Sequence, residues 1–313
     1  MTPLHIHTPL VASRALTLRS GRTVLLKLEA LQPSGSFKIR GIGRACQEYV
    51  RRGARRLISS SGGNAGIAVA YAGRRLGVPV VVVVPETTSA TARALVKQED
   101  AELIIHGASW QEANRLARSI VTDTDAYLHP FDDPLLWHGH ATMIDEVFAS
   151  GVKPDAVVAS VGGGGLLCGV VEGLHRNGWR DIPVIAVETE GADSFSQSVR
   201  AGRRVELPAI TSVATSLGAP LVCARAFDWS PRPPISAVVV SDRAAVSACM
   251  QFLQDHRILV EPACGATLAA IYNNDPQLAR CETVLAIVCG GVTASVEQLQ
   301  SWTISDDRMA GAR

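Results

Sequence analysis

An α/β architecture, with open and mostly parallel sheets wrapped by helices, is expected from three features of the sequence. Short β-branched runs alternate with amphipathic stretches along the chain. Several of the runs are apolar at every position, as strands covered on both faces require. Each run leads into a Gly- or Ser-containing turn and then a helical pattern.

Strands are expected at residues 24–28, 57–60, 80–84, 103–105, 156–160, 184–187, 237–240 and 284–288. Between them, apolar residues recur at helical spacing over 67–76, 110–120, 135–148, 166–176 and 243–254. The stretch DWSPRPP at 228–234 reads as a proline-stiffened loop, and the polar tail at 305–313 is expected to fray. No repeat, low-complexity tract or compositional break marks a domain boundary.

The 313 residues are 47% hydrophobic and 19% charged, which excludes intrinsic disorder and leaves room for two cores. Thirty Lys and Arg against 29 Asp and Glu leave a net charge of +1. That balance gives no reason to expect a nucleic-acid or anionic-membrane partner. A small molecule is the expected partner. The N-terminus MTPLHIHTPL has neither the basic nor the apolar segment of a signal peptide. The most apolar run, 78–84, is far below the roughly 20 residues that span a bilayer. Seven cysteines, odd in number and without a CxxC pair, read as reduced thiols, so a cytoplasmic location is expected.

Five segments carry chemistry. In Gln32-Pro33-Ser34-Gly35-Ser36-Phe37-Lys38-Ile39-Arg40-Gly41, a turn enters a helix whose first turn holds Lys38 between two apolar residues. An amine in such a setting is more easily neutral and nucleophilic, although alone it reads as a surface lysine. Ser59-Ser60-Ser61-Gly62-Gly63-Asn64-Ala65-Gly66 follows a strand and opens a helix. Hydroxyls and unpaired N–H groups there suit a carboxylate, and Asn64 can donate to a phenolate oxygen or cap the helix.

Gly162-Gly163-Gly164-Gly165 follows the 156–160 strand as a phosphate cradle. No Gly-Lys-Ser/Thr follows it, so it is not a Walker loop. Glu188 keeps a dinucleotide reading open. Ile287-Val288-Cys289-Gly290-Gly291 ends a buried strand in a thiol at the carboxyl edge of a sheet, where ligands of open α/β folds bind. In Glu261-Pro262-Ala263-Cys264-Gly265-Ala266, a turn into a helix, Cys264 reads as packing and the glutamate is open. The pairs His5/His7 and His138/His140 lack the neighbours of a zinc site, and no G-x-S-x-G elbow occurs.

The ordered segments PSGSFK, SSGGNAG, VGGGGLLCG, LVEPACGA and VCGG, together with HPFDDPLLWHGH at 129–140, resemble the pyridoxal-phosphate-dependent L-serine/L-threonine dehydratases over about residues 8–299. The likeness is closest to the short serine dehydratase type. It implies a fold-type II arrangement, tryptophan synthase β-like, with two open twisted sheets and pyridoxal 5′-phosphate between two domains. Residues 1–36 and 135–313 would form the large domain and 37–134 the small one, inserted into it.

The resemblance further implies a role for each matching residue. Lys38 would carry the cofactor aldehyde and act as catalytic base. Phe37 would flank the ring, Asn64 bind its phenolate oxygen, Gly162, Gly163, Gly164 and Gly165 its phosphate, and Cys289 face its nitrogen. Ser61, Gly62, Gly63, Asn64 and Ala65 would hold the substrate carboxylate. A monovalent cation such as K+ would sit at Glu188 with carbonyls of Ala192, Ser194, Leu217 and Ala219. The implied reaction is conversion of L-serine to pyruvate and ammonia, with L-threonine as a further substrate, by a homodimer.

Two departures stand out. Gly62 stands where serine racemases carry serine and many short serine dehydratases alanine, so racemisation is not expected. Val292-Thr293 replaces a Ser-Asn pair common after Cys-Gly-Gly. The chain ends soon after the 284–288 strand and one helix, so feedback control by isoleucine is not expected. The enzyme alternatives are a β-replacement enzyme, cysteine synthase-like, and threonine synthase. Those usually place serine or threonine at the ring nitrogen, against Cys289 here. A cofactor-binding protein without turnover is the non-enzyme alternative.

Overall fold

A computed structural model of the chain describes residues 2–230 and 234–310, so residues 231–233 of the expected loop and 311–313 of the tail lie outside it. In chain order the strands are β1 (Leu10–Ala12), β2 (Thr23–Lys27), β3 (Arg56–Ser59), β4 (Val80–Val84) and β5 (Glu102–Ile105). They continue with β6 (Asp125–Leu128), β7 (Ala156–Ser160), β8 (Val184–Thr189), β9 (Ile235–Val240) and β10 (Thr283–Ile287). The helices begin with α1 (Arg14–Ser20), α2 (Lys38–Arg51), α3 (Asn64–Leu76), α4 (Ala90–Gln98), α5 (Trp110–Ser119) and α6 (Pro134–Ala149). They end with α7 (Gly165–Arg176), α8 (Ser194–Ala201), α9 (Ala224–Trp229), α10 (Asp242–His256), α11 (Pro262–Tyr272) and α12 (Val296–Ala310).

The chain forms two compact units, one of residues 1–6 and 32–140, the other of 7–31 and 141–313. In the first, four parallel strands run in the order β5-β4-β3-β6. All five valines of β4 are buried, which accounts for its unbroken apolar run. Ile58, Val81 and Val83 pack on Ala113 and Ala117 of α5, whose start is fixed by a Ser109–Glu112 capping box. On the same sheet, α3 packs on β3 and β4, and α2 packs on α3.

In the second unit the order is β1-β2-β10-β7-β8-β9, and only β1 runs antiparallel to its neighbour. The wholly buried helix α11 packs on β7, β8, β9 and β10. Lys27, at the end of β2, is fully buried. Its amine donates to the Thr8 carbonyl at 2.7 Å and to the Glu146 carboxylate, while the Thr8 hydroxyl donates to Glu29 at 2.6 Å.

Both sheets are open, mostly parallel and flanked by helices, as the alternating pattern predicts. The pattern did not reveal β1 or β6. β1 is a three-residue edge strand with two exposed positions, and β6 is an edge strand buried only at Ala126 and Leu128. Neither has the apolar run that burial on both faces imposes. Among the described residues no helix is long and apolar enough to cross a membrane.

Candidate active site

Phe37 is the N-cap of α2 and supplies no side-chain cap, so the helix enters directly from the Pro-Ser-Gly-Ser turn and Lys38 is its first residue. Phe37 and Ile39 are buried, and Lys38 is half-buried between them. The Lys38 amine donates to the Pro130 carbonyl at 2.6 Å and lies 5.3 Å from the Phe37 ring centre.

The turn that presents Pro130 is itself pinned. The amides of Phe131 and Asp132 donate to His129 Nδ1 at 3.3 and 2.8 Å, Trp137 Nε1 donates to the Phe131 carbonyl at 2.9 Å, and the Tyr49 hydroxyl donates to Asp133 at 2.6 Å. Burial, then the charges of Arg118 and Lys38, push the His129 pKa down to about 4. Its Nδ1 is therefore an acceptor at neutral pH.

His140 is fully buried against Phe37, with ring centres 4.7 Å apart. A Cβ on Gly41 would lie 2.5 Å from its ring, so the glycine is what lets α2 and α6 close on it. Burial first, then Lys38 and Arg40, hold this imidazole neutral, and neither ring nitrogen has a hydrogen-bond partner among the described residues.

Ser61, Gly62 and Gly63 form the loop between β3 and α3, at the carboxyl end of the sheet. Gly63 is the N-cap of α3 without a side-chain cap, and Asn64 and Ala65 are its first, buried residues. The first-turn N–H groups of α3 and the Ser61 hydroxyl therefore stand at a positive helix end. The Gly63 amide donates to Ser61 Oγ at 3.4 Å, which orients the hydroxyl over the loop. Behind it, Ser60 Oγ bonds Asn114 at 3.0 Å and Tyr127 at 2.9 Å, anchoring the strand end.

In the second unit Gly162–Gly165 joins β7 to α7. Gly164, the N-cap of α7, has φ 92°, and a Cβ there would lie 2.5 Å from the Cβ of Ala226. The Gly163 carbonyl accepts from the Cys223 amide at 3.0 Å. This side-chain-free cradle at a helix N-terminus fits a phosphate. Cys289, just past β10, is buried, with its Sγ 3.5 Å from Ser160 Oγ at the end of the adjacent β7. Glu261 accepts from the Thr293 hydroxyl at 2.8 Å, which gives that glutamate and that departure from the Ser-Asn pair a shared structural place.

The Glu188 carboxylate, fully buried on β8, accepts from the Phe195 and Ser196 amides at 2.9 and 2.7 Å at the start of α8, and burial raises its pKa to about 7. Ser194 begins that helix, and Ala192 lies in the preceding turn. The Ser194 carbonyl accepts from Ser198 Oγ at 2.6 Å, and the Leu217 carbonyl accepts from the Ala219 amide at 2.7 Å. Leu217 also borders the glycine loop, its Cα 3.0 Å from where a Cβ of Gly162 would stand. The sequence assigned no part to Pro130, His129, His140, Ser160 or Cys223. Residues 129–140 drew attention as a stretch of family likeness and, at His138/His140, as a pair without the neighbours of a zinc site.

The profile of the family described as pyridoxal-phosphate dependent enzyme matches residues 1–290. A serine dehydratase-like protein of Mus musculus is 49% identical over 96% of this chain and 95% of its own length. The L-serine dehydratase/L-threonine deaminase of Homo sapiens is 47% identical over 96% of this chain and 94% of its own. Among solved structures, a fungal L-serine ammonia-lyase from Rhizomucor miehei superposes with a TM-score of 0.92 at 35% identity, covering 96% of this chain and 98% of that one. The chain belongs to the pyridoxal-phosphate dependent enzymes.

Proposed function

We propose that this pyridoxal-phosphate dependent enzyme is an L-serine ammonia-lyase, converting L-serine to pyruvate and ammonia, with L-threonine giving 2-oxobutanoate as a further reaction. The relatives named L-serine dehydratase/L-threonine deaminase, at nearly half identity over almost the whole chain, support the reaction and its substrates. Within the chain, the observation that carries the reading is a lysine amine held at the first turn of α2, in the same unit as the Ser61 hydroxyl and the first-turn amides of α3.

In this reading Gly162, Gly163, Gly164 and Gly165 grip the phosphate with backbone N–H groups, and Lys38 holds the aldehyde. Asn64 would donate to the ring's phenolate oxygen, Phe37 would flank the ring and Cys289 would lie by its nitrogen. When bound, the cofactor draws electrons from the α-carbon of the amino acid. Ser61 and the amides of Gly62, Gly63, Asn64 and Ala65 fix the carboxylate. The Lys38 amine, freed when the substrate amine takes its place, would accept the α-proton. The β-hydroxyl would take up a proton and leave as water, and a returning water would release pyruvate and ammonia. The Pro130 carbonyl steers the amine while it is free.

The unit bearing Lys38 serves as the small domain and the unit bearing the glycine loop as the large one. K+ at Glu188, with carbonyls of Ala192, Ser194, Leu217 and Ala219, is part of the proposal. A buried carboxylate whose pKa is raised to about 7, chiefly by burial, supports it. The working form is a cytoplasmic homodimer; none of the seven cysteines is in a disulfide, consistent with a reducing compartment.

The test is keto-acid formation from L-serine and L-threonine, with and without sulfide to expose β-replacement. Borohydride reduction should bleach the visible absorbance and leave the label on Lys38. Lys38→Ala should lower turnover by roughly a thousandfold or more. A colourless protein releasing no keto acid overturns the reading.

A further inference from the structure

Position 62 has no side chain, and another residue occupies the space one would take. A Cβ built on Gly62 would lie 2.7 Å from Thr88 Cγ2, 2.8 Å from Thr88 Oγ1 and 3.2 Å from Val84 Cγ1. Both arms of one threonine thus straddle the direction in which a residue at 62 would project. Because threonine carries two heavy atoms on Cβ, a χ1 rotation that withdraws one arm brings another group round.

The fold accounts for the meeting. β3 and β4 are adjacent parallel strands, with Leu57, Ile58 and Ser59 opposite Val80, Val81 and Val82. The loop holding Gly62 leaves the carboxyl end of β3, and the turn holding Thr88 leaves the carboxyl end of β4, with the Thr88 amide donating to Pro85 at 3.1 Å. In open parallel sheets this edge is where ligands sit. Thr88 is half-buried there, with Glu86 and Thr87 before it and Ser89 and Ala90 after it all exposed. In a surface turn, the residue that points inward is the one covering Gly62.

We propose that Thr88 is a specificity-determining residue, its methyl and hydroxyl walling the substrate loop in place of the side chain that Gly62 lacks. The proposal rests on the assignment of Ser61–Ala65 to the substrate carboxylate. Thr88 and Gly62 act as one unit: the threonine limits the room beside the bound hydroxy-amino acid, and the glycine is needed for the threonine to be there. The substrate class affected is the β-hydroxy-α-amino acids, with the discrimination between the bare and the methylated β-carbon set at this wall.

Two variants separate shape from polarity. Thr88→Ser deletes one methyl group and keeps a hydroxyl, whereas Thr88→Val keeps the shape and deletes the hydroxyl. A single methyl in a pocket is worth about tenfold or more in discrimination. Thr88→Ser should therefore raise the kcat/KM ratio of L-threonine over L-serine by about tenfold. Thr88→Val should leave that ratio within about twofold.

A measurement independent of turnover addresses the pairing. Gly62→Ala should lower the unfolding midpoint, and Thr88→Ser should lower it little. The double variant should recover most of the Gly62→Ala loss, because the two share one space. A Thr88→Ser ratio within twofold of the parent, or strictly additive midpoints, overturns the proposal. Ser61→Ala is the control: if it leaves the KM for L-serine unchanged as well, the carboxylate assignment has failed rather than the role of Thr88.

Discussion

The Lys38 amine donates to the carbonyl oxygen of Pro130, 92 residues further along the chain, at 2.6 Å. The orientation of this amine is therefore set by a turn whose own shape depends on His129 accepting two amides and on Trp137 and Tyr49 holding Phe131 and Asp133.

Acid should loosen that turn. His129 titrates at about 4 in the folded chain, against an ordinary 6.5, chiefly because it is buried. Its folded pKa is depressed, so the unfolded chain takes up the proton first. The neutral form's stability is complete above pH 6.5 and is lost as the pH falls from 6.5 toward 4. His129→Asn keeps an acceptor for the amides and cannot titrate. Its thermal midpoint should fall less steeply than the parent's over that window. His140, also held neutral, contributes to the same slope, so the variant flattens it without abolishing it. Identical slopes in thermal melts from pH 4 to 7 would remove His129 from the account.

Gly164→Ala should be costly twice over. The left-handed backbone costs about 1–2 kcal/mol with a Cβ, and overpacking against Ala226 adds about 1–3 kcal/mol. Adding Ala226→Gly should return only the packing part. Denaturant unfolding measures the stability loss, and cofactor titration should show weaker retention in the single variant. A Gly164→Ala chain as stable as the parent contradicts the φ of 92° observed here.

The Lys27–Glu146 pair offers a sharper contrast. Glu146→Leu removes the carboxylate that faces a fully buried ammonium, and should cost about 3–5 kcal/mol. Combining it with Lys27→Met removes the stranded charge. The double variant should be clearly more stable than Glu146→Leu alone, as read from denaturant midpoints.

Cys289→Asp tests the place proposed for Cys289 at the ring nitrogen. A carboxylate there would hold that nitrogen protonated and spread negative charge into the ring, as a thiol would not. The variant should release less pyruvate per L-serine consumed and more D-serine or transamination product, read by chiral chromatography. An unchanged product ratio would show that the thiol plays no part in reaction choice.

Most strands and helices were legible because their burial leaves a periodic trace: the five valines of β4 can be read in no other way. The placement of Gly162–Gly165 and Ser61–Asn64, each between a strand and a helix, was equally legible. Edge strands β1 and β6 were not legible, because half their residues face solvent. Long-range steering was also hidden. The Pro130 carbonyl carries no side-chain signature, and Thr88 looks like any turn threonine until β3 and β4 are known to be neighbours. The two imidazoles near Lys38, His129 and His140, lack metal-site spacing and had no other pattern to mark them.

The place of β10 between β2 and β7 bears on how the chain is made. The four strands of the unit holding Lys38 are consecutive in sequence, so their sheet can close while synthesis continues. The other sheet waits: its early strand β2 has no parallel neighbour until the last strand leaves the ribosome and slots in beside it. Until then β2 and β7 hold open, apolar edges, and nascent chains stalled before β10 are the species most in need of chaperone protection.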